Sequence, residues 1–254
     1  MTPQELLKDI AAYGEANINP ANIQKYLRYF REGFDAWGLD QELVRAKVDG
    51  ILAMPGISHE WILEASLLLA GSPKYESTVI AIRLLLGMQK SWTRETFLTV
   101  ERWFGVGITN WAETDNICGE LMNLFFKKNL ITLDSIASWR TAENKFQRRA
   151  AAVSLIKPMK LSADFRPYFD FIAPMMHDPA REVHQGLGWF LREAWKKQPE
   201  PTEVFLLKYK DTAPRLIFQY ATEKMTAEGK ERFKRTREQG SKGAREQGNR
   251  RTIE

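Results

Sequence analysis

Apolar residues recur at three- and four-residue spacing along almost the whole chain of 254 residues, and no stretch alternates apolar with polar as a half-buried strand would. Proline and glycine mostly punctuate the periodic segments. That pattern restricts the fold to helices packed on helices, an all-α class. The period predicts helices near 3–16, 21–33, 40–53, 58–70, 75–89, 93–104, 112–128, 130–138, 143–157, 163–175, 179–197, 201–208, 212–222 and 224–235. Thr2-Pro3, Asn19-Pro20 and Asp178-Pro179 read as helix starts, each setting a capping side chain before a proline at the first helical position. Helix pairs of about 35 to 45 residues suggest a HEAT-like helical-repeat solenoid. Such a stack curves, and its concave groove, lined by the second helix of each pair, suits an extended polymer.

The formal net charge is +5, but it is unevenly placed. From Lys224 onward there are ten Lys and Arg against five Glu, which leaves the preceding body neutral. The reading is a single helical domain over 1–229 and a basic tail over 230–254, in which Arg-Glu-Gln-Gly occurs twice and the apolar period is lost. No apolar run reaches the length of a membrane span, and the amino terminus carries acidic residues where a signal peptide would be basic and then apolar. A cytoplasmic, monomeric protein is expected. The one cysteine, Cys118, excludes an internal disulfide and reads as a buried small hydrophobe. His59, His177 and His184 show no metal-ligand spacing, so no metal or cofactor is expected.

Four places stand out from ordinary packing. Asn110-Trp111-Ala112-Glu113-Thr114-Asp115 opens a helix on which Trp111 and Asp115, four apart, share a face. Glu113 points about 200° away from Trp111. Tyr26 stands in the basic segment Lys25-Tyr26-Leu27-Arg28. In Lys145-Phe146-Gln147-Arg148-Arg149 the two arginines point about 100° apart, so only one faces a groove. Arg149, in register with Lys145, is favoured, which makes Arg148 a solvated surface charge. Finally, Gly186-Leu187-Gly188-Trp189 places two glycines in a helix, where each costs about 1 kcal/mol relative to alanine. Close packing explains them, as does room for a ligand beside Trp189.

Together, in this order and separation, Lys-Tyr-Leu-Arg around Tyr26, Trp-x-x-x-Asp at Trp111 and Asp115, Gln-Arg-Arg-Ala-Ala around Arg149, and Gly-Trp-Phe-Leu-Arg-Glu around Trp189 resemble the AlkD-like DNA alkylation-repair glycosylases over roughly Gln24 to Phe218. The resemblance implies excision of cationic alkylated purines, of the 3-methyladenine and 7-methylguanine types, from double-stranded DNA by monofunctional hydrolysis of the N-glycosidic bond. It also implies that the duplex lies in the concave groove without a deep base pocket. It puts the catalytic carboxylate on Asp115, its aromatic partners on Trp111 and Trp189, the phosphate-binding arginine on Arg149 with Arg148 as the register alternative, and an amino-terminal aromatic on Tyr26; Lys145 belongs to the same DNA-facing basic set. Some members lack the Asp or the Trp, whereas both are present here. The competing expectation is a helical-repeat module that binds DNA, branched DNA included, or a protein partner without chemistry.

Overall fold

A computed structural model describes residues 1–30 and 33–236 of the chain. Within them lie fifteen α-helical segments: α1 (Pro3–Ala16), α2 (Pro20–Leu27), α3 (Gln41–Leu52), α4 (His59–Ala70), α5 (Tyr75–Gly87), α6 (Arg94–Val106), α7 (Trp111–Asn116), α8 (Asn123–Lys127), α9 (Lys145–Val153), α10 (Ile156–Lys160), α11 (Arg166–Ile172), α12 (Arg181–Trp195), α13 (Pro199–Tyr209), α14 (Arg215–Ala221) and α15 (Ala227–Glu231). Among the described residues there are no strands, so the expected all-α, helical-repeat architecture is the one observed. No helix there is long and apolar enough to cross a membrane.

The helix starts follow the local chemistry. Thr2 caps α1 in a reciprocal box with Glu5, and the Asn19 side chain accepts from the Asn22 N–H at the head of α2. Asp178 does not start α12; the helix begins three residues later at Arg181, and Asp178 is used elsewhere. The segment expected as one helix over 112–128 is continuous but changes pitch. Between α7 and α8, Ile117–Met122 form a π-helical turn, whose wider ring accommodates an extra residue at the cost of poorer backbone packing. The Gly119 carbonyl of that turn accepts from Lys157 Nζ at 2.7 Å.

One row of helices organises the molecule. α5 packs on α7, α7 on α9, α9 on α12 and α12 on α14, so elements far apart in sequence become successive rungs. α3 and α4 back α5, the 3-10 turn Asp134–Thr141 backs α9, and α10 and α13 back α12. The core between the layers is apolar, with Leu85, Phe97, Trp103, Phe125, Trp139, Ile172, Phe190 and Phe218 buried. Near the amino end the expected helix over 21–33 stops at Leu27. Residues 28–30 and 33–40 are irregular and are called the strap below. Its far end is tied down by buried Glu76, whose carboxylate accepts the backbone N–H groups of Trp37, Gly38 and Leu39 at 3.0, 2.6 and 3.1 Å.

At the other terminus the ordered packing runs beyond the expected boundary at 229. Phe233 is buried, Arg215 donates to its carbonyl at 2.6 Å, and the Thr236 N–H donates to Asp211 at 2.7 Å. The remainder of the basic tail, 237–254, lies outside the described residues.

Candidate active site

The row of helices opens on a cleft of about 1120 Å³. α7 supplies Trp111 and Asp115, α9 supplies Phe146 and Arg149, α12 supplies Arg181, Glu182 and Gln185, α14 supplies Tyr220, and the strap supplies Tyr29, Phe30 and Phe34. Trp111 is the first residue of α7 because Asn110 caps the helix, its Oδ1 accepting from the N–H groups of Ala112 and Glu113 at 3.0 Å each. Asp115 follows one turn later. The two side chains therefore meet the cleft from one helix face, as their spacing predicts.

The neighbours of Asp115 are not evident from α7 itself. Arg149, across from it on α9, donates Nε to Asp115 Oδ1 at 2.9 Å and Nη2 to Oδ2 at 2.8 Å, a bidentate pair. Arg149 Nη1 also donates to the Glu182 carbonyl at 2.8 Å, and the residue is only 6% exposed. Three of the five N–H groups of the guanidinium are thus engaged. Burial raises the Asp115 carboxyl above its ordinary range, and the hydrogen bonds and charge of Arg149 oppose the rise. The arginine keeps the acid available as a carboxylate in a site that would otherwise favour its protonation.

Arg148 is not a solvated surface charge. Its Nε and Nη2 donate to Asp178 at 2.6 and 3.3 Å, and Nη1 donates to the carbonyls of Ala142 and Glu143 at 2.8 and 2.9 Å. Asp178 in turn accepts the Ala180 N–H at 2.8 Å. Arg148 therefore ties the lead into α9 to the loop before α12, and it is outside the cleft lining. Lys145 pairs with Glu182 at 3.1 Å. Glu113 occupies the back of α7, 2% exposed, with Oε2 accepting the Thr109 N–H at 3.2 Å and Oε1 accepting the Thr78 hydroxyl at 3.4 Å. Burial pushes its carboxyl up to about 7, against those hydrogen bonds.

The aromatic surroundings differ from the expected pair of tryptophans. Trp111, 39% exposed, lies against Phe30 with centroids 5.2 Å apart and planes 15° apart, and Phe30 stacks in turn on Phe34 at 4.3 Å. Phe34 contacts Tyr75 at 5.3 Å. This stack is why α2 ends early: Phe30 and Phe34 leave the helical line to reach α7 and α5. Trp189 sits half-buried against the apolar core on α12, one turn beyond Gln185, and is not among the residues that line the cleft. Gln185 Nε2 donates to the Tyr220 hydroxyl at 2.9 Å, and these two side chains form that edge of the cleft. Tyr26 is exposed near the strap, with its edge toward Phe34 and Lys25 over its ring, but it too is outside the lining.

Cys118 is buried behind the site, with its sulfur accepting from Ser154 Oγ at 3.2 Å, and burial pushes its thiol up to about 12. It is packing, not a nucleophile.

Of the expected set, Trp111, Asp115 and Arg149 meet on one groove, with Arg149 engaged by Asp115 where a DNA phosphate was expected and with Trp189 outside the lining. The model of the family described as DNA alkylation repair enzymes matches residues 14–225. The chain belongs to that family. Three solved structures resemble this DNA alkylation repair family member in fold. A predicted DNA alkylation repair enzyme from Enterococcus faecalis is 16% identical, with a TM-score of 0.70 over 83% of this chain and 98% of that one. The smu.31 protein of Streptococcus mutans UA159 is 18% identical, with a TM-score of 0.54 over 73% and 95%. AlkD2 from Streptococcus mutans is 19% identical, with a TM-score of 0.54 over 82% and 97%. No curated protein matches the sequence.

Proposed function

We propose that this family member is a monofunctional DNA glycosylase that hydrolyses the N-glycosidic bond of cationic N3- or N7-alkylated purines in duplex DNA. The observation that carries the reading is the placement of the Asp115 carboxylate and the Trp111 indole on one cleft, with the carboxylate held in a fixed orientation by the Arg149 fork.

An alkylated purine of this kind carries a positive charge, so it departs without being protonated. As the C1′–N bond breaks, its electron pair neutralises the base and a positive charge develops on the deoxyribose. Water then attacks C1′, and its proton passes to Asp115 and on to solvent, leaving free base and an abasic site. A carboxylate about 4 Å from the developing cation contributes on the order of 4 kcal/mol at an effective dielectric near 20. Arg149 stands behind the carboxylate at roughly twice that distance and opposes it by about 2 kcal/mol. The ion pair as a whole is therefore worth about 2 kcal/mol, and the rest of the acceleration comes from orientation of the sugar and the water. Trp111, braced by Phe30, offers an indole face to the sugar; cation–π attraction adds roughly 0.5–2 kcal/mol.

Asp115→Asn deletes the attractive part and leaves the repulsive one, so release of 7-methylguanine from methylated duplex falls about a thousandfold. Affinity for the duplex stays the same or improves, because Arg149 loses an ionic partner that competes with phosphate. The measurement is chromatographic release of free base by purified protein from methylated genomic DNA, alongside binding to the same DNA. Undiminished release by the Asp115→Asn variant would assign the chain instead to the class of helical-repeat modules that bind DNA or a partner without chemistry.

A further inference from the structure

Resting on that reading, we propose that Arg181 is the principal phosphate-binding cation of the cleft and that Arg149 is a positioning residue for Asp115. The charge inventory of the lining carries the assignment. Its acids are Asp35, Asp115 and Glu182, and each is already neutralised: Asp35 by Lys74 at 2.7 Å, Asp115 by Arg149, and Glu182 by Lys145. Its cations among the described residues are Arg149 and Arg181. Arg149 is spent on Asp115 and buried, whereas Arg181 is exposed and has no ion pair among the described residues. Among the described residues the cleft wall therefore carries one uncompensated positive charge, and it sits on Arg181. A polyanion entering the groove meets its full guanidinium fork, which matches a phosphodiester bidentately.

The surrounding structure holds that fork in place. Arg181 opens α12 just after the Asp178-Pro179-Ala180 loop, and that loop is fixed by the Arg148 fork on Asp178 and by the Ala180 N–H on the same carboxylate. The adjacent Glu182 carbonyl accepts from Arg149. One helix turn thus links the phosphate contact to the arginine that orients the acid, so that gripping the backbone and placing Asp115 against the sugar become parts of one rigid arrangement. The paired arginines of α9 then have separate duties, Arg148 to the loop beneath Arg181 and Arg149 to Asp115.

The test is the salt dependence of binding to a fluorescein-labelled duplex with a central tetrahydrofuran abasic-site analogue, measured by polarisation. Loss of one phosphate contact lowers the slope of log affinity against log salt by about 0.9. Arg181→Ala is expected to show that loss, with affinity down roughly five- to tenfold at low salt, and Arg181→Lys to restore most of it. Arg166→Ala, which removes an exposed arginine outside the cleft lining, is expected to keep the wild-type slope. The assignment is overturned if Arg181→Ala keeps the wild-type slope, if Arg166→Ala lowers it equally, or if the wild-type protein does not bind the duplex. The inference and the glycosylase reading fail separately. Base release by wild type with an unchanged slope in Arg181→Ala ends the inference alone, whereas a lowered slope in a protein that releases no base ends the catalytic reading alone.

Discussion

Glu113 and Asp115 are two positions apart and meet opposite fates, because a helix turns about 200° over two residues. Asp115 reaches the cleft and an arginine; Glu113 is driven into the core, where its carboxylate accepts from the Thr109 N–H and the Thr78 hydroxyl, with Asn110 alongside. Its carboxyl, raised to about 7 in the folded protein, is an ordinary one near 4.5 when unfolded. Between those values the folded state holds a proton that the unfolded state has lost, so the folded protein loses stability as pH rises through that window. The penalty at neutral pH and above is on the order of 3 kcal/mol. Glu113→Gln can offer its carbonyl oxygen to Thr109 and its amide to Thr78, and it carries no charge. It is therefore expected to melt above the wild type at pH 8, with the gap closing toward pH 5; thermal melts across that range measure it, and equal gaps at both ends would refute the account. The helical period alone separates these two acids and puts Trp111 beside Asp115, so this part of the site is legible in the sequence. Their partners are not. The fork on Asp115 comes from a residue 34 positions away, and nothing local marks Arg149 as bound to an acid or Arg148 as bound to another.

At the scale of the element, the two glycines of α12 answer a question that their sequence leaves open. A Cβ on Gly188 would stand 2.4 Å from Tyr220 Cβ and 2.8 Å from the Ile217 carbonyl, so α14 comes this close only because the position is glycine. Gly186 faces α9, where a Cβ would meet Arg149 Cγ at 3.1 Å. Close packing is the observed reason for both. It also explains the edge of the cleft: α14, drawn in over Gly188, brings Tyr220 to Gln185, while Trp189 stays against the core. Gly188→Ala gains about 1 kcal/mol in helix propensity but forces backbone and a Tyr Cβ to move, a cost of roughly 2–3 kcal/mol. A net loss of about 1–2 kcal/mol in denaturant unfolding is expected. Gly105→Ala, on α6 where a Cβ meets nothing within 4 Å, is expected to be neutral or to gain up to about 1 kcal/mol. Equal outcomes for the two would show that the approach of α14 does not depend on glycine. The helix expected over 130–138 is a 3-10 turn over Asp134–Thr141 and the one expected over 143–157 breaks into α9 and α10; the other elements were readable, since propensity, capping and period agree. Two features were not: the early end of α2, set by ring stacking from α7 and α5, and the π turn after Asp115, which has no pattern of its own in the sequence.

The whole molecule is a row in which each helix buries its neighbour's apolar face, so the last element has one side to protect and needs a cover. Phe233, just after α15, supplies that cover. The apolar period fades at about Lys230, which sets the sequence boundary at 229, yet one aromatic beyond it, Phe233, is 1% exposed and held by Arg215. A single buried ring in a charged segment is too sparse a signal for periodicity to register, although it is worth about 3–5 kcal/mol as a core residue. A chain cut after Gly229 loses that ring, the last two residues of α15 and the contact of Arg232 with Glu203. A chain cut after Thr236 keeps all three and also the clasp of Thr236 on Asp211. For a protein of this length each kcal/mol moves the melting temperature by about 2–4 °C. The 1–229 protein is therefore expected to melt roughly 6–20 °C below the 1–236 protein, in parallel calorimetric scans at one pH. Both cuts spare every residue that lines the cleft, so base release measured well below either transition should differ little between them. Equal melting temperatures would mean that the helical row closes at 229 as its apolar period implies, and that Phe233 covers nothing the fold requires.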